Sequence, residues 1–405
     1  MNLAFPLCRE PAHEERVRRL LADCVAFATS RLPAHETTAI VLTGSFARGE
    51  GTVLPAEGGL RVLGDVEFFV VFPTWRDSRR HLPTLAAVGR EASQLLGRQD
   101  VRVELEFGAL TRDALRRLPP SIFAYDLRQH GKVLWGDPDV LLAMPALAPE
   151  HIAREDALYL LFNRLIEQLA TFDALPALDG DALVDAAYQR AKLTLDLAGS
   201  ALAFAGRHAS SYRRRPGAFA RLAAETPSLQ EPLPAGFFSD LAEAAATKLD
   251  PAAHPVLPPD LPPHAARERL RAAIVAAVPT TAAVLRWELE QLLETTGRLP
   301  DLVAAWATRA PLRARLRAWL KLAIHPLPAP CPLDGARAAR LFFTGTPRSL
   351  LYAAGAFAYL TLATPSIERD DVARWLPLAR RARPESAAAA RRTVVDLWRW
   401  CVRNS

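Results

Sequence analysis

The chain has 405 residues, of which half are apolar and 23% charged, and it carries a net charge of +6. That length allows two or three separate cores, and that balance excludes a disordered or fibrous chain. The positive charge would suit nucleic acid or polyphosphate, but in a chain so rich in arginine and alanine it selects no partner by itself.

The N-terminal stretch MNLAFPLCREPAHEERVRRL meets charged side chains early and has no continuous apolar segment, so no signal peptide is expected. From Glu14 to Arg31 apolar residues recur at helical spacing and Pro33 closes the segment, which predicts a first helix. Thr38–Thr43 is short, β-branched and apolar and reads as a buried strand ending at Gly44. Val66–Phe72 and Val101–Phe107 read the same way, with a helix over Leu82–Leu96 between them, an order that points to an α/β layer.

Beyond Gly136 strands give way to long amphipathic segments: Arg154–Ala174, Asp181–Gly206 and Arg215–Ala224. Asp250–Pro263, DPAAHPVLPPDLPP, holds too many prolines for a helix or central strand and is expected to be a semi-rigid linker. Further helices are expected over Ala265–Thr296, Pro300–Ala323, Ala336–Leu362 and Ala387–Arg403. The longest apolar run, Leu350–Ala363, falls short of the ~20 residues a bilayer span requires, so it reads as a buried helix and no membrane partner is expected. Cys8, Cys24, Cys331 and Cys401 show no metal-binding or disulfide-framework spacing, which fits a reducing cytoplasm.

The chemistry concentrates in Leu42–Phe72, LTGSFARGEGTVLPAEGGLRVLGDVEFFVVF. On a strand alternate residues share a face, so Asp65 and Glu67 point one way while Val66 and Phe68 point into the core. Two carboxylates on one face repel unless a cation lies between them, and magnesium takes such oxygen donors together with substrate phosphates. Two magnesium ions, with manganese as an alternative, are therefore expected. The strand VRVELEF offers Glu104 and Glu106 on one face, and one of them should complete the site. Gly44 permits close backbone approach to a phosphate, Ser45 adds a donor, and Arg48 could reach the same group.

These residues together resemble the DNA polymerase β-like nucleotidyltransferase superfamily: Gly-Ser, a following Arg-Gly-Glu, then Asp-x-Glu opening the next strand. The resemblance implies that Gly44 and Ser45 hold the β- and γ-phosphates of a nucleoside triphosphate, that Asp65 and Glu67 bind magnesium, and that Glu104 rather than Glu106 is the third carboxylate. The sequence departs from the pattern in three ways. Asp65 follows Ser45 by 20 residues, so Gly51–Leu63 is expected to be an inserted loop over the nucleotide. Gly64 stands where serine is frequent, and glutamates replace aspartates at Glu67 and in the third position. Phe123–Pro138, FAYDLRQHGKVLWGDP, resembles the strand and turn that closes the minimal catalytic domain of this superfamily, which implies a boundary near residue 140. In the helical region Tyr188–Gly206 resembles the bundle of aminoglycoside-type members, which implies Lys192 as a triphosphate ligand across the cleft.

The expected fold is thus α+β: a nucleotidyltransferase-type mixed sheet with flanking helices in residues 1–140, then helical regions 141–249 and 265–405 separated by the linker 250–264. The expected reaction moves a nucleoside monophosphate from the triphosphate to an unidentified hydroxyl on a small molecule or protein. An antitoxin-like or regulatory protein-binding role and an RNA-tailing activity stand as alternatives. Arg76 and His81 have the spacing of a ribonuclease pair, but they fall within the catalytic domain and read as chance. The run Arg213, Arg214 and Arg215 reads as a solvated helix end ahead of an RNA contact.

Overall fold

The structure is a computed structural model, and it describes residues 11–56, 59–98, 100–324, 335–364, 369–376 and 385–404. Cys8, Cys331 and part of the expected Gly51–Leu63 loop lie outside those residues. The chain is α+β and packs into two compact units built from interleaved stretches. Met1–Asp156, Leu202–Phe219 and Phe238–Pro259 form the first unit, and Ala157–Ala201, Ala220–Phe237 and Asp260–Ser405 the second. This partition does not follow the linear order in which the sequence was divided.

The first unit runs α1 (Pro11–Arg31), β1 (Ala39–Leu42), α2 (Gly44–Ala47), β2 (Thr52–Ala56), β3 (Gly59–Phe72), α3 (Trp75–Gly97), β4 (Val101–Thr111), α4 (Arg112–Arg116), α5 (Ile122–His130) and β5 (Lys132–Gly136). β3 is the spine of a mixed sheet: β4 pairs with it in parallel, while β1 and β2 pair antiparallel with its two ends. β5 extends the sheet antiparallel to β1. The expected inserted loop is therefore a hairpin, Thr52↔Leu63 to Ala56↔Gly59, that lengthens β3 well before Val66. The expected closing strand is preceded by a helix, α5, whose N-terminus is capped by the Ser121 hydroxyl accepting from Ala124 N at 3.0 Å.

Period-two alternation decides what each face of the sheet meets. Ile40, Leu42, Val66, Phe68, Val70 and Phe72 join Val17, Leu20, Leu21, Leu85 and Val88 of α1 and α3 in one core. Ala39, Val41 and Val71 point the other way, into a smaller core with Leu115, Ala124 and Leu127 from α4 and α5. Asp65 and Glu67 share that second face, farther up β3 and only half-buried. Cys24 is a buried free thiol in the larger core, where burial, aided by the nearby Asp23 charge, pushes it up to about 12.

The remaining elements are helices: α6 (Arg154–Ala174), α7 (Gly180–Phe204), α8 (Arg215–Glu225), α9 (Pro227–Gln230), α10 (Phe237–Leu249), α11 (Pro263–Leu293), α12 (Leu299–Thr308), α13 (Leu312–Ile324), α14 (Gly335–Thr344), α15 (Pro347–Leu360), α16 (Arg369–Ala373) and α17 (Ala387–Asn404). The segment expected to be one helix from Pro300 is two, α12 and α13, and that from Ala336 is also two, because Pro311 and Pro347 each suit a first helical turn rather than an interior. The second unit is held by close helix packing. A Cβ on Gly355 of α15 would lie 2.6 Å from Ile166 Cγ1, and the Phe162 ring stacks on Trp306 at 4.6 Å. Asn163 Oδ1 accepts from both Tyr352 and Trp398 at 2.8 Å.

Among the described residues α11 alone is long and apolar enough to cross a membrane by length and composition, and over half of that window is buried inside the protein. Glu288, fully buried on α11, lies 2.6 Å from the Ser200 hydroxyl, which also donates to Ala157 O at 2.9 Å. One hydroxyl proton cannot serve two acceptors, so the pair is satisfied when Glu288 is neutral and donates to Ser200. Burial pushes the Glu288 carboxyl up to about 8, against a weaker opposing pull from Ser200.

Candidate metal centre

The edge-to-edge register of two parallel strands builds the site. Glu67 lies beside Glu106 and Asp65 beside Glu104, after an irregularity between Arg61 and Asp65 that contains Gly64 at φ +90°. Positive φ explains glycine at this position, since a β-branched or bulky side chain would be strained there. Carboxylate oxygens of Asp65, Glu67 and Glu106 come within 4.8 Å of one another. Glu104 is exposed and outside that trio, so the structure groups Glu106, not the expected Glu104, with the Asp-x-Glu pair.

The reason lies in where the glycine-serine turn falls. Thr43 N donates to Glu67 O at 2.9 Å, which brings the end of β1 to the level of Glu67 and therefore of Glu106. Gly44 follows at φ +67°, and a Cβ there would sit 2.5 Å from Glu67 Oε2. A larger residue there would be strained at that φ and would push the Glu67 carboxylate aside. Ser45 is half-buried beside it, and its hydroxyl makes no hydrogen bond among the described residues.

Three hard oxygen donors of this kind suit magnesium or manganese. Ligands on one octahedral magnesium stand at most about 4.2 Å apart, so small side-chain rotations would close the observed spacing. The trio is partly exposed, leaving positions for water or phosphate oxygens.

Arg48 has a different employment from the phosphate contact expected of it. Its side chain is 8% exposed, and Nη1 donates to Asp126 at 3.0 Å while Nε lies 3.7 Å from Glu50. Asp126 also accepts from Ser210 Oγ at 2.5 Å and pairs with His208 Nε2 at 3.0 Å. Burial alone would raise the Asp126 carboxyl, but the His208 hydrogen bond, the Arg48 and His208 charges and Ser210 together bring it down to about 2. Glu50, buried, accepts from the Ser211 hydroxyl at 2.6 Å and from Tyr212 N at 2.9 Å. Arg48 thus ties the loop after the glycine-serine turn to α5 and to the strand-free stretch 208–215. Arg215, Lys248 and Arg48 all lie over the Tyr212 ring, at 4.5, 5.1 and 5.4 Å, a stabilising arrangement of cations on an aromatic face.

Sequence spacing alone could not reveal this network, because Asp126 and His208 lie 82 residues apart. The Arg213–Arg215 run divides accordingly: Arg215 is buried, and Arg213 and Arg214 face solvent. His81, of the Arg76–His81 spacing, is engaged with Glu36 Oε2 at 2.5 Å and stacks on Phe72. Lys192 belongs to the second unit, on α7, with Nζ 5.9 Å from the Tyr188 ring centroid. In comparisons with known proteins, no family model, no curated protein and no solved structure matches this chain.

Proposed function

We propose that the first unit is a metal-dependent nucleotidyltransferase of the DNA polymerase β-like kind, transferring a nucleoside monophosphate from a nucleoside triphosphate to a hydroxyl acceptor. The observation that carries this reading is the convergence of Asp65, Glu67 and Glu106 within 4.8 Å beside the Gly44 turn. Acidic trios are common on strand ends. One built around a positive-φ glycine packed onto a member carboxylate is a narrower arrangement, and it has the parts that phosphoryl transfer needs.

In this reading Asp65, Glu67 and Glu106 hold magnesium, which when bound supplies charge neutralisation at the phosphates. Gly44 admits a phosphate oxygen to the backbone and Ser45 Oγ donates to it. The acceptor hydroxyl attacks the α-phosphorus, its proton passes to a carboxylate of the trio, and pyrophosphate leaves. Arg48 acts at one remove, by fixing the turn through Asp126 and Glu50.

The test incubates purified protein with each labelled nucleoside triphosphate, magnesium or manganese, and a cell metabolite extract, and follows pyrophosphate release. Release is expected for the wild type and for Glu104→Gln, and to be lost in Asp65→Ala and Glu106→Gln. Release that survives Asp65→Ala would defeat the proposal.

A further inference from the structure

α13 carries a pattern that the nucleotidyltransferase reading does not use. Its sequence, LRARLRAWLKLAI, repeats an apolar residue followed by a cation every four positions: Leu312-Arg313, Leu316-Arg317 and Leu320-Lys321. Four-residue spacing places each set in a row along one side of a helix. The three leucines are 60%, 49% and 56% exposed, and Phe343 on the neighbouring α14 is 71% exposed. Leucine is expected to bury, and a contiguous exposed apolar row marks an interaction surface.

The edge of α13 next to the leucine row is what anchors it. Trp319 Nε1 donates to Gly345 O at 3.0 Å, and Arg315 donates to Ala310 O at 2.6 Å and to the Phe343 carbonyl. Held by that edge, the helix leaves its leucine row exposed, and the backbone of Phe343 is fastened to the same edge. Arg313 and Arg317 are exposed and have no carboxylate partner among the described residues, and α13 contains no acidic residue.

We infer that this face docks on an anionic lipid bilayer surface. An apolar row flanked along one edge by cations is the pattern of a helix lying in a membrane interface, with leucine and phenylalanine entering the acyl boundary and the cations at headgroup level. A nucleic acid would be met by the cations but gain nothing from four apolar side chains. An acidic protein would need a groove shaped to a convex helix, whereas a bilayer yields to it. The sequence led to the expectation of no membrane partner, on the ground that the run Leu350–Ala363 is too short to span; a peripheral face of this kind needs no spanning segment.

Flotation of the full-length protein with vesicles tests the inference. Phosphatidylcholine vesicles are compared with vesicles in which about one third of the lipid is phosphatidylglycerol. Arg313 and Arg317 near the surface favour the anionic vesicles by roughly thirtyfold in partitioning, and raised salt removes most of that preference. Leu316→Asp is expected to lower partitioning at least about tenfold. Because Leu316 is half-exposed, the variant should retain its far-ultraviolet circular dichroism. Arg317→Glu reads the charge contribution independently and should lower binding to anionic vesicles alone. No binding to anionic vesicles, equal binding to both kinds, or Leu316→Asp binding like the wild type would each overturn the inference. So would a dimer in vesicle-free solution that Leu316→Asp abolishes, since the face would then belong to a second copy.

Discussion

Neutralising Glu106 should have opposite effects on stability with and without magnesium. Two unit charges 4.8 Å apart repel by about 1 kcal/mol in bulk water and about 3–4 kcal/mol at an effective dielectric near 20. Glu106 is exposed, so the lower end applies, and its removal relieves repulsion with both Asp65 and Glu67. Glu106→Gln should therefore stabilise the metal-free protein by about 1 kcal/mol. Magnesium at a hundred times its Kd should stabilise the wild type by about 2.7 kcal/mol, a gain the variant should largely lose. The assay is chemical denaturation of wild type, Glu106→Gln and Glu104→Gln, each in chelator and in excess magnesium. The expected result is a crossover: Glu106→Gln is the more stable protein in chelator and the less stable in magnesium, while Glu104→Gln follows the wild type. If Glu104→Gln loses the magnesium response and Glu106→Gln keeps it, the register-based assignment is wrong.

Gly44→Ala forces an L-residue to φ +67° and drives a methyl group against Glu67 Oε2; magnesium binding measured by calorimetry should weaken at least about tenfold, a loss of roughly 1–2 kcal/mol, and unchanged affinity would remove the turn from the site. Asp126→Asn leaves the Arg48 guanidinium buried with half its partners and should cost about 2–3 kcal/mol at neutral pH by urea denaturation; because the folded carboxyl sits at about 2 and an ordinary aspartate at 3.8, the contribution is present above pH ~4 and should fade as pH falls toward 2. Glu288 has the opposite sign. Its folded carboxyl sits at about 8 against 4.5 for an ordinary glutamate, so the unfolded chain ionises first and stability falls as pH rises through that window, by roughly 4–5 kcal/mol in all. Glu288→Gln should flatten that slope in urea titrations at a series of pH values, and a slope unchanged by the substitution would show that Glu288 is not the group responsible.

The strands were legible because their apolar runs are β-branched and end at glycine, and the helices because their apolar spacing persists over many turns. Boundaries were less so. β3 begins at Gly59, yet its first half, GLRVL, carries Arg61 and follows a stretch with Pro55, and so read as a loop. The hairpin becomes a strand pair only because β4 runs alongside it, Leu60↔Val101. Helix counts failed where a proline inside an alanine-rich run could mean either a kink or a start. Pro279 lies within α11, while Pro311 and Pro347 lie at new helices; only Pro347 carries a local start signal, the preceding Gly345-Thr346 with Thr346 capping Ser349 N.

The site divides along the same line, between what one strand determines and what two strands determine together. That Asp65 and Glu67 share a face follows from the pleat, and that Gly44 precedes the short α2 follows from its position after β1. Which carboxylate of VRVELEF joins them does not, because Glu104 and Glu106 lie on one face two residues apart and differ only in how far β4 slides against β3. The slide is fixed by the irregularity at Gly64, where the five residues of β3 from Arg61 to Asp65 oppose the three of β4 from Arg102 to Glu104. A regular ladder continued from Arg61↔Arg102 would have put Glu104 beside Leu63 and Glu106 beside Asp65. The extra residues move both glutamates two positions up β3, so that Glu106 meets Glu67 at the level of the Gly44 turn and Glu104 stops short of it. Gly64, at φ +90° within that irregularity, is therefore part of what places Glu106 rather than Glu104 beside Glu67.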